Sequence, residues 1–165
     1  MIDAALSRVI EGLVAPRRAV RHIVAGGHGL DVVALLVVLG YTIQAFFGVL
    51  VLQVLFPAAQ AAGPSVSPVM FHVFNLLLQF FLFFMISGLV FWVGRLMGGA
   101  GGMGEVMLAM AWYFFISSAL APLFFFGMGP VLAGEENALS AGLLLVSMAI
   151  GLWLLASVVA EVHGF

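Results

Sequence analysis

The sequence contains no cysteine and no lysine, and little charge of either sign: 7% of its 165 residues are charged. Without cysteine, disulfides, thiolate catalysis and cysteine-ligated clusters are excluded. Five arginines, seven acids and four histidines are few groups from which to assemble a nucleophile, a base and an orienting partner. No catalytic residue is expected, and the protein reads as non-enzymatic. What the chain has in abundance is apolar surface. Hydrophobic residues make up 65% of it, in several runs long enough for the ~20-residue helix that a ~30 Å hydrocarbon core requires.

The length allows one helical bundle and no second soluble domain. Acids among the evenly spaced apolar positions of Met1–Ala15 are unlike the compact apolar block of a signal peptide, so the mature chain is expected to begin here. Ile2 to Val14 places Ile2, Ala5, Leu6, Val9, Ile10 and Leu13 on one helical face and Asp3, Ser7, Arg8 and Glu11 on the other. Pro16 suits the first turn of a second short helix, in which Arg17, Arg18 and Arg21 form a basic cluster beside Ala19, Val20, Ile23 and Val24. Residues 1–29 are therefore expected to lie on the membrane surface as interfacial amphipathic helices, with the arginines against anionic headgroups.

Four spans are predicted after the glycine break at Gly26, Gly27 and Gly29: residues 30–56, 68–96, 105–126 and 139–162. Asp31 favours the start of the first, and Ser67 with Pro68 reads as the cap and opening residue of the second. Pro122 is expected to kink or end the third. Gly127, Gly129, Pro130, Glu135 and Glu136 read as the loop before the fourth. Every arginine falls on one side of this arrangement, which puts the N-terminus and the segment Gly98–Gly104 in the cytoplasm. That glycine segment lacks the lysine and the hydroxyl of a phosphate-binding loop, so it reads as a tight re-entry between antiparallel helices.

His72, Asn75 and Gln79 form a polar stripe on the second span, and Gln44 on the first is expected at the depth of Gln79, able to bond to it. Such a stripe serves either as interhelical glue or as the lining of a solute path. His22, His28 and His163 read as solvated side chains near one membrane face, with His72 near the other. That spread leaves no pair at one depth to hold a metal or haem, and no cofactor is expected.

The Pro16 arm with its basic residues, the loop Leu96-Met97-Gly98-Gly99-Ala100-Gly101-Gly102, Glu105 opening the next helix, and the ending from Trp153 through Glu161-Val162-His163-Gly164-Phe165 together resemble the bacterial branch of the Yip domain family. Eukaryotic members are small membrane proteins that bind Rab/Ypt GTPases in Golgi and endoplasmic-reticulum trafficking. Bacteria lack that system, so the resemblance implies the fold and a non-catalytic role but not the trafficking one. Members usually add a fifth span after the His-Gly-Phe element, and here that helix is absent or truncated. The expectation is thus an all-α polytopic protein of a bacterial cytoplasmic membrane, an accessory or scaffold that packs against another integral membrane protein or its own copies. Small-residue faces at Gly40/Gly48 and Ser147/Gly151 would allow close helix contact. The alternative is a small permease or channel lined by the polar stripe. Nucleic acid is not an expected partner.

Overall fold

The computed structural model describes residues 2–55, 67–135 and 137–165, with side chains for all of these except 2–6, 52–54 and 68. The protein is all-helical, 87% helix with no strand among the described residues, and four helices are long and apolar enough to cross a membrane. Helix α1 (Ile2–Val14) meets α2 (Pro16–Ala25) at Ala15, with Pro16 at the first helical position, where its missing N–H costs nothing. After the glycine turn, α3 (Leu30–Val49) continues into a π-helical segment, Leu50–Leu55. Then come α4 (Pro68–Leu96), α5 (Met103–Ser117), a short 3-10 turn (Ser118–Leu120), α6 (Ala121–Leu132) and α7 (Ala138–His163). Phe56, the expected end of the first span, residues 57–66 that follow it, and Glu136 lie outside the described residues.

The third span corrects the sequence reading. Rather than covering 105–126, it runs from Met103 to Leu132. Pro122 falls in the first turn of α6, after the 3-10 turn, where a proline deprives the helix of no needed donor. Gly127, Gly129 and Pro130 belong to this helix and are buried rather than looped out. A Cβ on Gly127 would lie 2.8 Å from Leu144 Cγ and 2.9 Å from the Ser140 carbonyl, so the glycine is there to let α6 and α7 approach. Asn137 then starts α7 with a capping box, accepting the Ser140 N–H at 2.9 Å. Asp31 and Ser67 do stand at helix starts, but neither makes a side-chain capping bond.

The third span is also the centre of the bundle. Seven consecutive residues, Val106 to Trp112, are buried, which an α-helix achieves only when neighbours cover it on every side. Helices α2, α3, α4 and α7 supply that cover. Val33, Leu36, Val37 and Gly40 form the face of α3 turned to it. A Cβ on Gly40 would lie 2.8 Å from the Phe114 ring and one on Gly48 3.1 Å from that of Phe125, so the small-residue face of span one is used inside the molecule. Buried share separates the spans: 56% for the third against 22%, 11% and 17% for the first, second and fourth. One span is a core and three are a surface.

The arm is docked on the bundle. Pro16, Ala19 and Val20 of α2 are buried, α2 packs on α5 and α7, and Gly12 of α1 sits directly on the Ile116 side chain. An apolar helix face loses nothing by exchanging lipid for equally apolar side chains. Arm and spans enclose a crevice of about 10 Å³, about the space of one water, lined by Gly12, Pro16, Trp112, Tyr113, Ile116, Leu154 and Val158.

Candidate functional site at the arginine-rich end

One end of the bundle collects nearly all of the polar chemistry. Glu161, His163 and Phe165, alternate residues at the end of α7, each engage a different part of it. Glu161 Oε1 accepts from Arg21 Nε of α2 at 2.7 Å, and the main-chain oxygen of Phe165 accepts from Arg17 at 3.1 Å. The bond to Glu161, and its charge, raise the Arg21 pKa above its ordinary value. Two members of the basic cluster, Arg17 and Arg21, are thus bonded within the protein, and Arg18 is exposed. Arg8, Glu11 and His22 join α1 to α2, with contacts of 3.3 to 3.5 Å.

His163 is the principal surprise. The sequence reading makes it a solvated interfacial side chain; the structure leaves it 2% exposed. Its ring sits against Gly94 of α4 and against Gly99 and Gly101 of the glycine loop. A Cβ on Gly94 would overlap the imidazole Cε1 and Nε2, and one on Gly99 would come within 2.6 Å of Nδ1. The ring of Phe165 stacks on the other side, centroids 5.7 Å apart. The Ala100 N–H donates to the His163 carbonyl at 3.2 Å, fixing the loop to the helix end. Yet neither ring nitrogen has a hydrogen-bond partner among the described residues. Leaving a polar group of this kind unpaired costs about 1–3 kcal/mol, so close packing must offset it.

This contact accounts for the glycine run. Gly98 has φ +88°, where α4 turns out of its helix, and the Gly99 N–H reaches back to the Gly94 carbonyl at 2.8 Å. Gly164 plays the same part in α7 with φ +75°, the Phe165 N–H bonding the Ala160 carbonyl at 2.8 Å. Gly99 is a wall of the histidine cradle, and Gly101 lies beneath the chain just before His163, where a Cβ would come within 2.5 Å of the Val162 carbonyl oxygen. The Gly102 N–H donates to Glu105 Oε2 at 2.8 Å, making Glu105 the N-terminal acid of α5. With the amides of Gly98, Gly99, Ala100 and Gly102 all donating within the protein, four of the loop's donors are unavailable to a phosphate.

The polar stripe is arranged otherwise than expected. His72 meets Tyr41, whose hydroxyl donates to the His72 carbonyl at 3.0 Å and lies 3.3 Å from its Nδ1. His72, near the start of α4, therefore meets α3 at Tyr41. With Tyr41 opposite His72 in an antiparallel pair, Gln44 lies opposite about residue 69. That is ~10 residues, or ~15 Å of helix, from Gln79. The Gln44–Gln79 bond is not made. Asn75 donates back to the Phe71 carbonyl of its own helix at 2.8 Å. Among the described residues, no group of three or more His, Asp or Glu side chains is placed to hold a metal.

What these features define is an integral membrane protein whose α2, glycine loop and α7 end are joined by one compact polar cluster. Comparison with protein-family models, with curated proteins and with solved structures gave no match to this chain.

Proposed function

We propose that this protein is a non-enzymatic accessory or scaffold of a bacterial cytoplasmic membrane, with its arginine-rich end in the cytoplasm. On this reading it packs laterally against another membrane protein or its own copies. The observation that carries the proposal is the contrast between the third span and the rest. A solute path needs a wet centre, and this centre is filled by Val106, Ala109 and Ala111, none of which has any exposed surface. Polar side chains of the second span are spent locally, His72 with Tyr41 and Asn75 on its own backbone. The outer faces of the first, second and fourth spans remain, apolar and broad.

Those outer faces also accept close approach. Phe71, Phe74, Phe81, Phe84 and Trp92 project from α4, and Gly88, Gly142 and Gly151 have no atom within 4 Å of where a Cβ would stand. In a bilayer, helix association is driven by packing and is strongest where backbones come close. Orientation follows from the gathering of the arginines at one end, since positive charge is retained on the cytoplasmic side. Resemblance to the bacterial Yip branch supports the same non-catalytic role.

The test is copurification after gentle solubilisation, with mass spectrometry of bound proteins and the mass of the intact particle. A stoichiometric membrane partner, or a defined homo-oligomer, is expected. Solute flux in proteoliposomes that disappears in a Gln79→Leu variant would overturn the proposal in favour of a permease.

A further inference from the structure

We propose that His163 is the proton-operated latch of the arginine-rich end, holding the arm, the glycine loop and the end of α7 together when neutral and releasing them when charged. The inference concerns conformation only and stands independently of the accessory reading.

Its basis is the mismatch between cradle and cation. Neutral imidazole fits the space between Gly94, Gly99, Gly101 and the Phe165 ring, where it is stacked and nearly sealed from water. An imidazolium there would have two N–H donors and, among the described residues, no acceptor for either. Charged groups on the elements that meet here are all engaged elsewhere or of the wrong sign. Arg95 of α4 lies over the Phe91 ring at 5.9 Å, and Glu105 of α5 holds the Gly102 N–H. Arg17 and Arg21 of α2 are bound to Phe165 and Glu161, and Arg18 adds further positive charge. No carboxylate among the described residues lies within ion-pair distance of the His163 ring.

A proton therefore changes the preferred partners. Outside the cradle the imidazolium is hydrated, and it competes with Arg21 for Glu161, the carboxylate on its own helix end. Phe165 is stacked on the ring and its main-chain oxygen holds Arg17, so departure of the ring withdraws both anchors of the arm together. The open state binds the extra proton, and lowering the pH favours it. Histidine is the side chain whose charge ordinarily changes between about pH 8 and about pH 5, so that is the range over which a histidine latch is tested.

The experiment uses the intact chain in liposomes, spin-labelled at Arg18→Cys on α2 and Met97→Cys at the start of the glycine loop. With no native cysteine, labels go only where they are placed. Distance measurement is expected to show one short population near pH 8 and loss of more than half of it near pH 5. In His163→Gln, which carries no charge at any pH, the short population should persist throughout. In His22→Gln, which removes the histidine bonded within the arm, the response should survive. A distance that ignores pH, a response that survives in His163→Gln, or one that disappears in His22→Gln overturns the latch. Should the Gln variant fail to insert, NMR of ring-labelled histidine in the otherwise native chain decides. Titration of His163 coincident with the distance change supports the latch, and titration at a different pH, or none, overturns it.

Discussion

Adding one methyl group to Gly94 and one to Gly88 should have opposite effects on stability, although both glycines belong to α4. Glycine inside a helix is about 0.8–1 kcal/mol worse than alanine, so each change starts with the same gain. At Gly88 nothing lies within 4 Å of the new carbon, and that gain should stand. At Gly94 the new carbon overlaps the His163 ring, itself confined by Gly99, Gly101 and Phe165. Overpacking of this kind costs about 1–3 kcal/mol, which cancels or exceeds the helix gain. The two variants should therefore differ by ~1–3 kcal/mol, Gly94→Ala being the less stable, in reversible unfolding in mixed micelles. A cycle with His163→Ala isolates the cause. If the imidazole is the obstacle, Gly94→Ala should become stabilising in the His163→Ala background, with a coupling of about 1–3 kcal/mol. Equal effects at Gly88 and Gly94, or independence of Gly94→Ala from residue 163, would refute the cradle.

Gly40→Ala should be less stable than Gly151→Ala by ~1–3 kcal/mol, because its carbon would lie 2.8 Å from the Phe114 ring and 3.3 Å from a backbone oxygen while that of residue 151 meets nothing; the same unfolding assay compares them. Asn137→Ala removes the cap of α7 and should cost ~0.5–2 kcal/mol, with faster hydrogen exchange confined to the first turn of that helix. Single cysteines at Arg18 and Ala100 should resist an impermeant thiol reagent applied outside intact cells while one at Glu135 reacts; all three positions are exposed, and labelling of Ala100→Cys from outside would invert the topology. Removing the Arg21–Glu161 pair with Arg21→Gln should speed proteolysis of the arm, and raising salt should weaken the arm of the native chain in the same direction, since the Arg21 side chain is 69% exposed.

Much of the fold is readable without coordinates because a bilayer demands long apolar helices, and few other patterns satisfy that demand. Misread features share one cause. Local signals describe a residue's own backbone, while the meaning of glycine, proline and histidine here is set by what packs against them. Gly127 and Pro130 look like loop formers and serve as close-packing positions in α6. The Gly98–Gly102 run looks like a simple turn, and two of its glycines make room for the end of a helix some sixty residues later in the chain, Gly99 for the His163 imidazole and Gly101 for the Val162 carbonyl. His163 has no periodic partner in sequence that would mark it for burial. The stripe on α4 was visible, but the relative position of two helices along their axes is a tertiary property, and that offset separates Gln44 from Gln79. The fit between His163 and glycine was findable only by asking why so many glycines precede Glu105.

The docked arm has a consequence for the order of events at the ribosome. Arg21 and Glu161 are 140 positions apart, and Arg17 and Phe165 are 148 apart. At roughly 5–20 residues per second, synthesis must run for about 7–30 s after the arm emerges before its binding site exists. Throughout that interval the arm's apolar face lacks the cover of α7, and Arg17 and Arg21 lack the acceptors they have in the finished protein. An amphipathic, basic helix can wait at a lipid headgroup layer without aggregating, then transfer sideways once the last helix arrives. The same surface chemistry thus serves two successive resting places, which is why the arm has the composition of a peripheral lipid-binding peptide although its final contacts are with the bundle.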